Sequence, residues 1–113
     1  MNKLCMWGIA AGLVAAMPAF SQTSYMASVL LERGKTALER GDISSARALL
    51  KRPADNGVAE ASRCLAQTYD PVWLTKHHVV NMQSFEDADM AAQLYLHAAH
   101  LGDPVAIAKI NAQ

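Results

Sequence analysis

Histidine and cysteine are the residue types in this sequence whose spacing could support metal or redox chemistry. His97 and His100 lie three positions apart, so a helix would place both imidazoles on one face, and His77 and His78 are adjacent. Zinc usually takes imidazole and thiolate ligands, yet neither cysteine nor carboxylate joins these histidines at a known ligand spacing. The sequence therefore predicts no metal site and places the histidines at the protein surface.

Two further patterns resemble parts of catalytic motifs. Gly34-Lys35-Thr36 matches the end of a phosphate-binding loop, but Val29 stands where that motif has its first glycine, and the surrounding pattern is helical. Glu86, Asp87 and Asp89 could serve general acid–base chemistry. The start of a helix explains their negative charge more simply, because the backbone dipole favours negative charge there. We therefore expect a protein that is not an enzyme, with no catalytic residue and no cofactor.

The first 21 residues have the organisation of a secretory signal peptide. Lys3 supplies a positive start, residues 4–16 are an uncharged apolar run, and Pro18 breaks this run before a small-residue cleavage site. The run is shorter than the roughly 20 residues that cross a bilayer, which disfavours an uncleaved anchor. We expect cleavage between Ser21 and Gln22, a mature domain over residues 22–113 without a membrane span, and a periplasmic or secreted location.

Cleavage would remove Cys5 and leave Cys64 as the remaining cysteine. Cys64 follows the apolar pattern of a predicted helix, between Ala61 and Leu65, which indicates a small buried side chain. An odd cysteine in an exported chain can also be a reactive thiol. The alternative function is thus a small envelope protein that binds metal through the histidines or performs thiol-redox chemistry at Cys64.

Charge and composition narrow the classes of partner. The chain has 10 Lys and Arg against 10 Asp and Glu, a formal net charge of zero. Nucleic acid would require a basic patch, and an anionic membrane would require a polybasic segment. The aromatic content of 6% is low beside the abundant alanine and aliphatic residues, which favours packed helices over a sheet. We expect an all-α domain that binds no nucleic acid.

Helical periodicity runs from Tyr25 to the end of the chain. Turn signals divide it into five predicted helices, and these signals are Gly41, Asn56-Gly57, Asp70-Pro71 and Gly102-Asp103-Pro104. Asp42 or Ser44 is suited to cap the second helix. Pro53 should kink or stop that helix early, because proline removes a backbone hydrogen bond. The buried face of the last helix is predicted to be Val105, Ala106 and Ile110.

Residues 71 to about 85 show the least regular pattern and carry aromatic side chains. Trp73 and Phe85 lie in this stretch, and Tyr69 directly precedes it. Since tryptophan and tyrosine are enriched at interface hot spots, we take Trp73, Tyr69 and Phe85 as candidate partner-binding residues. The other role for Trp73 and Phe85 is to fold this long loop over an open end of the core.

An internal repeat appears when the sequence is shifted by 45 residues. Ala46, Leu49, Ala54, Gly57 and Ala61 then correspond to Ala91, Leu94, Ala99, Gly102 and Ala106. Residues 91–106 resemble the signature of Sel-one-like repeats, a branch of the tetratricopeptide-type helical repeats. That signature has alanine, a Leu-Tyr or aromatic pair, an alanine pair, and a glycine with an acid or amide. Residues 41–65 resemble a second and weaker copy.

The resemblance implies an antiparallel helix-pair solenoid that serves as a protein-binding scaffold, often in exported bacterial proteins. Two features depart from the family pattern: Pro53 replaces an alanine, and the loop between the third and fourth helices is longer than in a standard repeat. Solenoids usually need at least three repeats, and this chain has about two and a half helix pairs, so a partner or a second copy is expected to cover the open end. We therefore predict a small exported adaptor for protein–protein interaction.

Overall fold

A computed structural model of the chain describes residues 24–112. Across this range the chain is all-helical and contains no β-strand, which confirms the predicted all-α class. The helices are α1 (residues 24–39), α2 (Ile43–Asp55), α3 (Ala59–Gln67), α4 (Pro71–Lys76), α5 (Ala88–His100) and α6 (Pro104–Asn111), with a 3₁₀ turn at Met82–Ser84. The expected signal peptide and its cleavage site at Ser21 lie outside the described residues. Within the described part, no helix has the length and hydropathy needed to cross a bilayer.

The same tight turn joins α1 to α2, α2 to α3 and α5 to α6. A glycine with positive φ follows each first helix: Gly41 at 76°, Gly57 at 84° and Gly102 at 97°. The residue after each glycine donates its amide hydrogen to the carbonyl five positions earlier, at 2.9 to 3.0 Å. Glycine suits this left-handed position because it has no Cβ. The helix ends predicted at these glycines are confirmed.

Aspartate side chains cap four of the helices in the described part of the chain. The capping residues are Asp42 for α2, Asp70 for α4, Asp87 for α5 and Asp103 for α6, and each accepts a hydrogen bond from an amide in the first turn. Each bond satisfies one of the amide hydrogens that a helix N-terminus leaves free. Asp42 is thus the cap where Asp42 or Ser44 was predicted. Asp87 likewise acts in the helix-start role predicted for the acidic residues 86–89.

The helices pack as pairs with corresponding bounds. α2 packs on α3, α5 packs on α6, and α3 forms the contact between the two pairs. α2 and α5 each have 13 residues, and α5 begins and ends 45 positions after α2. Buried side chains also correspond: they are Ala46 and Ala91, Leu50 and Tyr95, Ala61 and Ala106. The 45-residue shift found in the sequence therefore relates both the helix bounds and the buried positions of the two pairs.

α1 covers the outer side of the first helix pair. Gly34 allows this close approach, since a Cβ at that position would lie 2.5 Å from Cγ of the fully buried Leu50. Lys35 Nζ also lies 2.7 Å from Glu60 Oε1, an ion pair from α1 to α3. The Gly-Lys-Thr pattern thus belongs to a packed helix, in agreement with its rejection as a phosphate-binding loop.

Two predictions about the helices are wrong. Residues 71–76 are not irregular but form α4, which Asp70 caps and whose Leu74 side chain is fully buried. Six residues are too few for helical periodicity to be read from sequence. Of the two outcomes predicted at Pro53, a kink or an early stop, the early stop is also wrong, because α2 continues past Pro53 and ends at Asp55. Proline is tolerated there because it lies in the last turn, where a single hydrogen bond is lost.

The predicted buried face of the last helix is wrong at Val105. Ala106 is fully buried and Ile110 is partly buried, whereas Val105 is 51% exposed. Ala106 faces the cluster of small side chains between the two helix pairs. Val105 instead faces a groove on the surface, since α6 is the last helix of the described chain and has a neighbour on one side.

Candidate binding groove

A surface groove lies between α4, α5 and α6. Its larger part, between α4 and α6, has a cavity volume of about 410 Å³. An adjoining part between α4 and α5 adds about 230 Å³. Both parts share four lining residues, which are Asp70, Val72, Tyr95 and Lys109. We call this continuous surface the α4–α6 groove.

The walls of the groove are apolar and partly exposed. Val72 on α4 is 68% exposed, and Val105 on α6 contributes the opposite wall. Trp73 lies beside Val72, packs its partly buried ring against the core of the first helix pair, and stacks on His77 at 3.9 Å between ring centroids. Because this stacking and packing hold the indole in place, little side-chain entropy remains to be lost when a ligand binds it.

The floor of the groove is a buried polar network centred on Asp70. Oδ2 of Asp70 accepts a hydrogen bond from the Tyr95 hydroxyl at 2.7 Å and lies 3.3 Å from Lys109 Nζ. Oδ1 accepts the α4 capping bond from the Val72 amide at 2.9 Å. Burial, together with the bond to Asp70, raises the pKa of Tyr95. The phenol therefore stays protonated and acts as a donor at physiological pH.

A second network, centred on Arg47, attaches the segment between the helix pairs to α2. Arg47 donates from Nε to Thr68 Oγ1 at 3.1 Å and from one terminal nitrogen to the Thr68 carbonyl at 2.8 Å and to the Phe85 carbonyl. Its guanidinium carbon also lies 3.6 Å from the centroid of the Tyr69 ring and 5.5 Å from that of Phe85. The cation thus joins the start and the end of the segment that contains α4.

The structure separates the three predicted partner-binding residues into two places. Trp73 lies in the α4–α6 groove, whereas Tyr69 and Phe85 meet around Arg47 and do not line the groove. Trp73 and Phe85 both pack against the core of the first helix pair, as a loop that covers the core requires. The roles of Arg47, Asp70 and Lys109 were not predicted from the sequence, because each of these residues has its main partner at least 21 positions away in the chain.

No protein-family model matches this chain, and no curated protein or solved structure matches it. The resemblance to Sel-one-like repeats therefore stays a prediction from residues 41–65 and 91–106. The geometry and charges of the groove are the basis for assigning it a role.

The histidines lie at separate places on the surface. His97 and His100 are exposed on α5, while His77 ends α4 with Nδ1 2.9 Å from the Trp73 carbonyl oxygen. His78 and Asn81 have positive φ values of 54° and 57° in the turn that follows. Within residues 24–112, no three His, Cys, Asp or Glu side chains are close enough together to hold a metal ion.

Cys64 is buried on α3, as the sequence predicts, and we expect its thiol to be unreactive in the folded protein. Burial raises the pKa of Cys64 to about 11, so almost no thiolate forms near neutral pH. In a Cys5→Ser chain at pH 8, a disulfide reagent should label Cys64 on the order of a hundred times more slowly than in denaturant, because labelling requires opening of the core. Equal rates under both conditions would favour the thiol-redox alternative.

Burial of Cys64 also makes the stability of the folded protein depend on pH. The pKa of Cys64 in the folded protein lies above its ordinary value of 9.0, so the unfolded chain releases this proton first. The protonated thiol contributes fully to the free energy of unfolding below pH 9, and this contribution is lost as the pH rises towards 11. The measurement is urea unfolding of the wild type and of Cys64→Ala at pH 9 and at pH 11. Because alanine has no such proton, the difference between the two chains isolates this contribution.

Proposed function

We propose that this chain is an exported helical-repeat adaptor that binds a segment of a partner protein in the α4–α6 groove. The observation that carries the proposal is the pair of exposed valines, Val72 on α4 and Val105 on α6, which line the same groove as Trp73. A partner that covers these side chains gains the free energy of removing apolar surface from water, at about 25 cal/mol per Å². The groove also has a size typical of ligand-binding clefts.

The arrangement of the helices supports a repeat scaffold. The helix pairs α2–α3 and α5–α6 have corresponding bounds, turns and buried positions. An antiparallel solenoid of the Sel-one-like type has this organisation, and α4 lies between its two copies as an insertion. In repeat proteins, insertions between helices often shape the binding face. α4 supplies one wall of the groove in this way.

The chemistry of the groove favours binding over catalysis. The Asp70 carboxylate already pairs with Tyr95 and Lys109, and its other oxygen caps α4. Both oxygens of this carboxylate are thus occupied by donors from the protein itself. The network therefore fixes the shape of the groove floor, while Val72, Trp73 and Val105 provide the contact surface.

Two valines of α4 and its following turn allow a matched test. Val72 is 68% exposed within the groove, and Val80 is 78% exposed outside it. Glutamate at either position should change stability by less than about 0.5 kcal/mol, since both sites are solvated. In the groove, however, the carboxylate would replace an apolar contact and would have to lose its water when a partner covers it, which should weaken partner binding by tenfold or more.

The measurement is capture of partners from the native cell. The full chain with a C-terminal tag is expressed there and cross-linked briefly, and proteins that co-purify from the envelope fraction are quantified. We expect one dominant protein with the wild type and with Val80→Glu, and its loss with Val72→Glu and Trp73→Ala. Equal recovery with all four chains would refute the groove as the binding surface.

Sequencing the N-terminus of the same product tests cleavage between Ser21 and Gln22.

A further inference from the structure

The positive charges of the α4–α6 groove are unequally compensated. Lys109 lies 3.3 Å from the Asp70 carboxylate, so this pair carries no net charge. Lys76 lines the groove from the last turn of α4 and has no ion-pair partner among residues 24–112. The groove therefore presents one uncompensated ammonium group.

This ammonium group lies next to the apolar walls. Lys76 is four residues after Val72, so the two side chains occupy neighbouring positions on one face of α4. Trp73 and Val105 complete the apolar surface around Val72. A ligand that matches this surface must present a large apolar side chain and a negative group close to each other.

A peptide segment fits these requirements better than a nucleic acid does. Binding to a phosphate backbone depends on several cations along the strand, and the groove has a single free one. A single carboxylate beside an apolar side chain needs only Lys76 and the adjoining valine wall. The remaining cation, Lys109, is already paired with the buried Asp70.

We propose that the α4–α6 groove recognises an acidic-apolar peptide segment, in which an aspartate or glutamate lies within about one helical turn of a large apolar residue. The carboxylate pairs with Lys76, and the apolar side chain packs against Val72, Trp73 and Val105. This inference rests on the proposed function, because it names the chemistry of the segment that the adaptor binds.

The test uses short random peptides displayed on phage and selected on the purified full-length chain. A Trp7→Phe background leaves Trp73 as the remaining tryptophan, so its fluorescence reports directly on occupancy of the groove by synthetic copies of the selected peptides. We expect the selected peptides to combine an acidic and a large apolar residue and to change Trp73 fluorescence when they bind. The Val72→Glu chain should no longer bind them.

Charge reversal supplies the decisive comparison. Lys76→Glu should weaken binding of the acidic peptides roughly tenfold, because it replaces an attractive contact with a repulsive one, and should shift a new selection towards basic peptides. Arg52→Glu makes the same change in net charge at an exposed position of α2 outside the groove, and should leave the affinity unchanged.

Each outcome has a distinct meaning. Selected peptides that depend on Val72 but lack acidic residues, or that bind Lys76→Glu as well as the wild type, would overturn the acidic preference and leave the proposed function standing. Failure to select any peptide that depends on Val72 would overturn both, since the groove would then bind no peptide segment.

Discussion

Replacing Arg47 with methionine should lower the free energy of unfolding by about 2 to 3 kcal/mol, although Arg47 does not line the α4–α6 groove. Methionine keeps the apolar stem of the side chain but removes the guanidinium that donates to Thr68 and to the Phe85 carbonyl. Hydrogen bonds from a charged donor contribute about 1.5 to 3 kcal/mol each, and partial exposure of Arg47 reduces their sum. The change in midpoint of urea unfolding, followed by circular dichroism, measures this loss.

Arg52→Met is the matched control for this prediction. Arg52 lies on the same helix, is exposed, and should change stability by less than about 0.5 kcal/mol. Hydrogen exchange should locate the effect: the Asp87 amide, which donates to the Tyr69 carbonyl at 2.8 Å, should lose protection before the amides of α2 do. If Arg47→Met and Arg52→Met unfold at the same urea concentration, Arg47 does not hold the segment between the helix pairs.

Replacing Asp70 with alanine should lower the free energy of unfolding by about 3 to 4 kcal/mol. The substitution removes the capping bond to the Val72 amide, which contributes about 1 kcal/mol. It also leaves the buried Tyr95 hydroxyl without its acceptor, which costs about 1 to 3 kcal/mol, and removes the partner of Lys109. The groove floor depends on these contacts, so Trp73 fluorescence should also change in the folded state.

Asp42→Ala separates the capping effect from the buried network. Asp42 caps α2 through the Ser45 amide but is exposed, so its loss should cost only about 1 kcal/mol. Tyr95→Phe should cost less than Asp70→Ala, and the double variant should show a coupling of about 1 to 2 kcal/mol between the two side chains. Equal costs for Asp42→Ala and Asp70→Ala, or strictly additive effects of Asp70 and Tyr95, would contradict a shared network.

Local signals in the chain were sufficient to predict most helix boundaries. Gly41, Gly57 and Gly102 end helices because their left-handed backbone is accessible to glycine at little cost. Asp42 and Asp103 begin helices because a short carboxylate reaches an amide two or three residues ahead. These interactions involve residues within one turn of each other, so the sequence pattern contains them completely.

The same reasoning failed where a short element depends on distant contacts. α4 has six residues, too few for an isolated helix to be stable in water. Burial of Leu74 in the core of the first helix pair and the bond from Asp70 to Tyr95 hold it in place. The sequence pattern of this stretch therefore indicated an irregular segment, although Trp73 within it was a predicted partner-binding residue.

The sequence by itself determined the helical class, the two corresponding helix pairs, and the positions of the turns and most caps, because periodicity and capping are short-range properties. Only the tertiary structure decided which polar side chains meet. Tyr95 lies 25 positions from Asp70, and Phe85 lies 38 positions from Arg47. Each of the polar side chains in these contacts could equally have faced solvent, and the packing of α3 against both α2 and α5 brings the partners together. The α4–α6 groove exists for the same reason, since its walls come from helices that are distant in the chain.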